Sequence, residues 1–171
     1  MKAYGSAVWP LFGAAIISAS PIQLFWLHEL LERDGTRAAT QPSVFALLPL
    51  DFVIQWCRQN LQVAPFFVAR TIDIFDQGTD GVKQPTALFI ALLENFGGFE
   101  EFGSELSANL GSGTWSGSLV PYLQSDKNAL KPLLHHAHEN VRSWVREYIA
   151  YLDAAIKHES MLDDEDNLGV H

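Results

Sequence analysis

Three histidines close together near the C-terminal end are the residues best suited to chemistry. His135, His136 and His138 stand beside Glu139, and imidazole is a common zinc or nickel ligand, so the cluster indicates a possible metal site. Positions i, i+1 and i+3 across a helical turn do not point at one centre, however, and no cysteine lies nearby. We therefore predict a polar turn between two helices, where histidines interact favourably with the end of the preceding helix. A metal-binding protein that uses this cluster is kept as an alternative function.

A segment rich in glycine and serine, 111–118, has the composition of a phosphate-binding loop. The Gly-Lys-Ser/Thr ending of a Walker loop and the Gly-x-Ser-x-Gly pattern of a nucleophile elbow are both missing from it. Trp115 lies in this segment and either fills the space between helical repeats or serves as a binding anchor, because interface anchors are few and often aromatic. Filling is the favoured interpretation, and Trp115 is kept as a candidate contact with a partner.

Other reactive side chains do not combine into a catalytic arrangement. Cys57 is predicted to be an inert thiol in the core, since no base can be placed beside it. Two pairs of acids are predicted to be solvated charges on helix faces or ends: Glu100 with Glu101, and Asp73 with Asp76. We therefore predict no catalytic residue, no cofactor and no metal ligand, and a protein that is not an enzyme.

The composition is that of one folded domain. Hydrophobic residues make up 48% and aromatic residues 12% of the 171 residues, which is typical of a globular chain with a core. Of the 20 acidic residues, five lie between Glu159 and Asp166, so the remaining 15 nearly balance the 11 basic ones. No cluster of Lys and Arg is present to contact phosphates, and we therefore predict no nucleic-acid partner. A single cysteine cannot form an intrachain disulfide, which favours a reducing cytoplasm.

The N-terminal segment has some features of a signal peptide. Lys2 precedes an apolar run, 7–17, and small residues follow it, as at a cleavage site. Pro10 interrupts the run, Pro21 would follow the cleavage site, and the run is too short to cross a bilayer. We predict a buried first helix, no membrane association, and a second helix buried on several sides because apolar residues nearly surround its first half. Whether this apolar region is core or interface stays open.

Helical periodicity and capping residues divide the rest of the chain, and no segment shows the two-residue alternation of a strand. The predicted helices before residue 118 cover 5–17, 20–34, 50–60, 63–76, 84–97 and 100–110. A helical hairpin follows over 118–159, and its second helix places seven apolar residues on one face: Val141, Trp144, Val145, Tyr148, Leu152, Ala155 and Ile156. We predict an all-α fold in which 1–159 is a single α-helical repeat domain and 160–171 an acidic, flexible tail.

The hairpin resembles a HEAT repeat. Such repeats commonly place a short turn before a Val-Arg pair that opens the inner helix, and Val141 and Arg142 form this pair within 138–145. The segment 50–57 is a weaker example, and helix pairs recur at about the period of helical-hairpin repeats. The chain is similar to HEAT-like segments of large bacterial multidomain proteins, which implies antiparallel hairpins stacked as an α-solenoid. Asn140 stands where the family often has an aspartate, so an irregular helical bundle is the alternative.

The resemblance to HEAT repeats implies a non-enzymatic protein–protein interaction module, an adaptor or scaffold. Arg142 and Arg146 lie one turn apart on the polar face of the last helix, where they face an acidic partner or pair with acids such as Glu139. Pairing within the helix is the default interpretation, and Trp115, Arg142 and Arg146 are the candidate partner contacts. An acidic inhibitor or immunity-type protein, whose negative surface covers a basic site, is a further alternative. The oligomeric state is left open.

Overall fold

The computed structural model describes residues 2–32, 43–77, 82–110 and 116–168, with the backbone alone at 2–8, 30–32, 77 and 166–168. Within these ranges the chain forms eight α-helices, two strands and two short 3₁₀ helices. The α-helices are α1 (Lys2–Ser18), α2 (Pro21–Glu32), α3 (Leu50–Gln59), α4 (Ala64–Thr71), α5 (Ala87–Phe96), α6 (Glu100–Leu110), α7 (Val120–Leu130) and α8 (Glu139–Leu168). The strands are β1 (Phe75–Gln77) and β2 (Lys83–Pro85), and the 3₁₀ helices cover Val44–Leu47 and Lys131–His135. The predicted all-α class is confirmed.

A small antiparallel hairpin of β1 and β2, with Phe75 opposite Pro85, interrupts the helices. The helix predicted over 63–76 therefore ends early, at Thr71, and the next helix begins later than predicted, at Ala87. These boundaries are wrong because strand pairing depends on a second segment of chain, which helical periodicity within one window does not register.

Thr86 ties the hairpin to the neighbouring helices. Its hydroxyl donates a hydrogen bond to the carbonyl oxygen of Asp73, 2.8 Å away. The same hydroxyl oxygen accepts a hydrogen bond from the backbone N–H of Phe89 at 3.2 Å, which satisfies one of the free donors at the N-terminus of α5. The Thr86 side chain therefore binds the segment that follows α4 and caps the N-terminus of α5.

The core centres on α5, which contacts α3, α4 and α8. Phe89, Leu92 and Leu93 on this helix are fully buried, and each such side chain stabilises the fold by about 1.5–3 kcal/mol relative to an exposed one. Phe89 packs edge-on against Trp144 of α8, with ring centroids 5.5 Å apart. Because α4 also packs against α6, the helices around α5 share one continuous core.

The first two helices are only partly buried. In α1 the side chains of Trp9 and Ile16 are buried, whereas Leu11 is 78% exposed. Among the described side chains of α2, three large apolar ones are more than half exposed: Ile22, Phe25 and Trp26. The prediction that α2 is buried on several sides is therefore wrong, because α4 packs against one side of it and leaves these residues uncovered. None of the described helices is long and apolar enough to cross a membrane.

The C-terminal hairpin confirms the predicted apolar face of its second helix. Five of the seven residues on that face are buried: Val141, Trp144, Val145, Tyr148 and Leu152. α8 continues to Leu168, beyond the predicted end at 159, and the hydroxyl of Ser118 donates a hydrogen bond to the Asp163 carboxylate at 2.5 Å. The backbone of 160–168 is therefore helical, and the flexibility of the acidic segment stays a prediction.

Candidate functional site

An open groove of about 620 Å³ lies between α6 and α8. Small residues of α6 line one side: Gly103, Ser104, Ser107 and Ala108. Residues of α8, three of them aromatic, line the other: Ser143, Trp144, Glu147, Tyr148 and Tyr151. Phe99 and Glu100 add to the lining near the start of α6. We refer to this feature as the α6–α8 groove. Its combination of small residues and aromatic rings leaves concave space next to a large apolar contact surface.

The burial of two residues orients α6 at this position. Phe102 and Leu106, one helical turn apart, are fully buried, and Phe102 packs against Phe96 of α5 with ring centroids 6.0 Å apart. Residues 103 and 107 follow these two anchors directly in the sequence, so they lie on the adjoining face of the helix. That face is the one turned toward α8.

Gly103 permits a close contact between the two helices. The indole N–H of Trp144 donates a hydrogen bond to the carbonyl oxygen of Gly103 at 3.3 Å. A β-carbon at position 103 would lie 3.1 Å from Cδ1 of Trp144, which is tighter than ordinary van der Waals contact. The absence of a side chain therefore lets the indole rest against the backbone of α6.

Three aromatic residues of α8 form a continuous wall of the α6–α8 groove: Trp144, Tyr148 and Tyr151. We call this set the aromatic wall. The rings of Trp144 and Tyr148 stack with centroids 4.9 Å apart and an interplanar angle of 7°, and Tyr148 contacts Tyr151 at 5.5 Å. Trp144 and Tyr148 are buried, while Tyr151 is 61% exposed. The wall is thus held rigid at its base and presents a free aromatic ring at its outer end.

The polar groups of the groove are mainly hydrogen-bond acceptors. Ser104 and Ser107 donate their hydroxyl protons to backbone carbonyls one turn earlier in α6, at 3.2 Å and 2.9 Å. The hydroxyl of Ser143 donates to the carboxylate of Glu147 at 3.4 Å. Among the described residues that line the groove, none is Lys, Arg or His, whereas Glu100 and Glu147 are acidic.

Tyr148 stays a neutral phenol within the aromatic wall. Burial is the main cause that raises the pKa of its hydroxyl above the ordinary value, and Tyr151 and Asp126 raise it further. Desolvation penalises the phenolate because the charge would lose contact with water. The buried part of the wall is therefore uncharged.

Comparison with known proteins adds no relative. No family model, curated protein or solved structure matches this chain. The function therefore has to be inferred from the groove and its surroundings.

The structure places two of the predicted contact residues, Arg142 and Arg146, away from the groove. Trp115 lies outside the described residues. Arg142 donates from Nη1 to the carbonyl oxygens of His136 at 2.5 Å and Ala137 at 2.7 Å and forms an ion pair with Glu139, which confirms the pairing predicted within α8. Arg142 thus holds the turn that precedes its own helix.

Arg146 is the exposed member of the predicted pair. At about 100° per residue, it is displaced by about 160° around α8 from Trp144. It therefore points to the opposite side of the helix from the aromatic wall, and the two arginines do not share a surface with the α6–α8 groove.

The three histidines lie in and around the turn before α8, as predicted. His135 and His138 are exposed, and His136 is half-buried. The backbone N–H of His138 donates to Nδ1 of His136 at 3.2 Å, so the other ring nitrogen carries the proton of the neutral imidazole and lies 3.7 Å from the Glu94 carboxylate. Within the described ranges, no three His, Cys, Asp or Glu side chains form a group that could hold a metal ion.

Cys57 is in the core, as predicted. Its side chain is fully buried, and burial raises the pKa of the thiol from 9.0 to about 12. The reactive thiolate is therefore negligible at neutral pH. Of the four acids predicted to be solvated, Asp76, Glu100 and Glu101 are exposed. Asp73 is not: its carboxylate accepts a hydrogen bond from the backbone N–H of Ser43 at 2.5 Å.

The sequence predicts some of the residues that line the groove. Trp144 and Tyr148 belong to the predicted apolar face of α8, and they are buried, but Tyr151 does not belong to that face. The small residues of α6 recur at i, i+1, i+4 and i+5, which marks a helix face that a neighbouring helix can approach closely. The sequence alone does not predict that this face of α6 lies opposite α8.

Proposed function

We propose that this chain is a non-enzymatic protein-binding module, an adaptor or scaffold, and that the α6–α8 groove is its contact surface. The observation that carries this proposal is the aromatic wall beside a row of small residues. Aromatic side chains are enriched among the residues that dominate binding energy, and they provide large contact area with little loss of conformational entropy. The proposal assigns no catalytic role to the residues that line the groove.

The dimensions of the groove favour a peptide segment as the bound element. A space of about 620 Å³ is within the range of about 300–1,000 Å³ that ligand sites occupy, so it holds a few side chains rather than a broad globular surface. Tyr151 at the outer end of the wall and the half-exposed Phe99 on the α6 side provide apolar contacts at separate points of the groove. This arrangement suits a helix or an extended segment docked between two helices.

The proposal includes a HEAT-like arrangement of helical hairpins in a cytoplasmic protein. The pair α7 and α8, whose helices pack against each other, would be one hairpin repeat, and the contact of α5 with α8 supports its stacking on the preceding helices. The Val141–Arg142 pair that carries the resemblance has a structural role here, since Val141 is fully buried and Arg142 holds the turn. The fully buried thiol of Cys57 is compatible with a reducing compartment.

Selection of short random peptides displayed on phage, followed by affinity measurement with labelled synthetic peptides, tests the proposal. Tyr151→Ala is expected to weaken binding of a selected peptide by about tenfold or more, because truncating an aromatic hot spot typically costs about 2 kcal/mol. Tyr122→Ala is the matched control, since Tyr122 is also exposed but lies on α7 outside the groove. Equal affinity of both variants and the wild type would exclude the groove as the contact surface.

A further inference from the structure

We propose that the peptide segment held in the α6–α8 groove is cationic and carries an arginine or lysine between apolar side chains. This inference rests on the proposed protein-binding function and adds the chemistry of the partner. It follows from three properties of the groove taken together: the hydrogen-bonding groups that it leaves open, the sign of its charges, and the exposed ring at the end of the aromatic wall.

The first property is the state of its hydrogen-bond donors. Ser104, Ser107 and Ser143 each donate the hydroxyl proton to an oxygen of their own helix, and the indole N–H of Trp144 donates to Gly103. A hydroxyl has one proton and two lone pairs, so these serines offer acceptors to a ligand. Apart from the tyrosine hydroxyls, the described side chains of the groove have no donor left to offer. A ligand rich in donors is therefore favoured over a carboxylate or a phosphate.

The second property is charge. Glu100 on α6 and Glu147 on α8 both line the groove, so negative charge is present on both of the helices that form it. None of the described lining residues is basic, and the whole chain has a formal charge of −9. Lysine and arginine side chains carry several donors and no acceptor, which matches this lining. The negative field of the chain would also accelerate the approach of a basic segment.

The third property is the ring of Tyr151. It is 61% exposed, and its centroid lies 5.5 Å from that of the buried Tyr148. A guanidinium or ammonium group placed over such a ring is attracted by the negative face of the aromatic system, and a guanidinium can also stack on it. The small residues on α6 leave space for the apolar neighbours of the cation. The groove therefore combines an apolar surface with a site for one positive charge.

Three synthetic peptides with fluorescent labels test this inference. They share one pattern of leucine and phenylalanine and carry arginine, glutamine or glutamate at the same remaining positions. We expect the arginine peptide to bind about tenfold or more tightly than the glutamine peptide, which corresponds to about 1.4 kcal/mol. The glutamate peptide should bind most weakly.

Variants of the protein separate the groove from general charge attraction. Glu100→Gln with Glu147→Gln is expected to weaken binding of the arginine peptide by about tenfold and to leave the glutamine peptide unchanged. Asp164→Asn with Glu165→Gln is the matched control, because these exposed acids lie in the acidic segment at the end of α8 and their loss changes the net charge equally. The control should bind the arginine peptide like the wild type. Thermal unfolding of each variant verifies that it is folded.

The outcomes distinguish the two proposals. If the glutamine or glutamate peptide binds as tightly as the arginine peptide and Tyr151→Ala weakens that binding, the cationic partner is excluded and the protein-binding groove stands. If the control pair of substitutions weakens binding as much as the groove pair does, general charge attraction explains the preference and the inference is wrong. If binding depends neither on Tyr151 nor on the groove acids, both proposals fail.

Discussion

The indole N–H of Trp144 donates a hydrogen bond to the carbonyl oxygen of Gly103, 3.3 Å away on the neighbouring helix. This contact joins the two sides of the α6–α8 groove at its base. It depends on glycine, because a β-carbon at position 103 would come within 3.1 Å of Cδ1 of Trp144. The stacking of Tyr148 on Trp144 extends the same fixed geometry outward, so the aromatic wall is organised before any ligand binds.

We predict that Gly103→Leu lowers the free energy of unfolding by about 1–3 kcal/mol, because a large side chain forced against the indole must displace it. Urea unfolding monitored by circular dichroism measures this change. Ala108→Leu is the control on the same helix, where the exposed position should tolerate leucine within about 0.5 kcal/mol. Wild-type stability of Gly103→Leu would show that the close contact does not exist.

The local periodicity of α8 made its buried face predictable. Val141, Val145 and Leu152 repeat at helical spacing, and a single window of sequence contains that pattern. The prediction that Cys57 lies in the core is also confirmed. Reasoning from one window of sequence fails for β1 and β2, because each strand is three residues long and pairs with another segment of the chain. It also fails for α2, where Phe25 and Trp26 are exposed although apolar residues nearly surround the first half of this helix.

The groove was less predictable than the helices that form it. A row of small residues on α6 and a row of aromatics on α8 are both visible in the sequence, but their apposition depends on the packing of α6 against α4 and of α8 against α5. The prediction that Arg142 and Arg146 contact a partner rests on their charge and on their position one turn apart. One holds the turn before α8 and the other faces away from the groove, since neighbouring positions on a helix point in different directions.

We predict that Phe89→Ala lowers the free energy of unfolding by about 3–5 kcal/mol, because the fully buried ring leaves a cavity behind Trp144. Phe99→Ala, at a half-exposed position, should cost less than about 1 kcal/mol. Chemical denaturation of both variants gives the comparison. Phe99→Ala should instead weaken peptide binding, because Phe99 lines the groove. Similar losses of stability would contradict the assignment of Phe89 to the centre of the core.

The two arginines of α8 should differ in their effect on stability. Arg142→Ala removes hydrogen bonds to the carbonyl oxygens of His136 and Ala137, and we expect a loss of about 1–2 kcal/mol. Arg146→Ala, at an exposed position, should change stability by less than about 0.5 kcal/mol. Thermal unfolding of the two variants and the wild type measures these changes in stability. Equal stability of the two variants would argue against a structural role for Arg142.

The buried thiol of Cys57 should resist chemical labelling. The thiolate form of a cysteine attacks reagents such as an aromatic disulfide and releases a thiolate from the reagent. Burial both hides the sulfur of Cys57 and keeps it protonated. We predict no labelling of the folded protein at mildly alkaline pH and rapid labelling in urea. The absorbance of the thiolate released from the reagent measures the reaction. Rapid labelling of the folded protein would show that Cys57 is accessible.

The same thiol should make stability depend on pH at the alkaline end. Folding raises the pKa of Cys57 from 9.0 to about 12, so the unfolded chain releases the proton first and unfolding becomes more favourable as pH rises. The contribution of the neutral thiol to stability is complete below pH 9.0 and is lost progressively between that pH and about 12.

Comparison of the wild type with Cys57→Ala isolates this effect. Tyr148 also lowers stability as the pH rises, but it is present in both proteins, so its effect cancels in their difference. That difference in unfolding free energy, measured by urea denaturation, should narrow as the pH is raised through this window, and a constant difference would mean that Cys57 titrates normally.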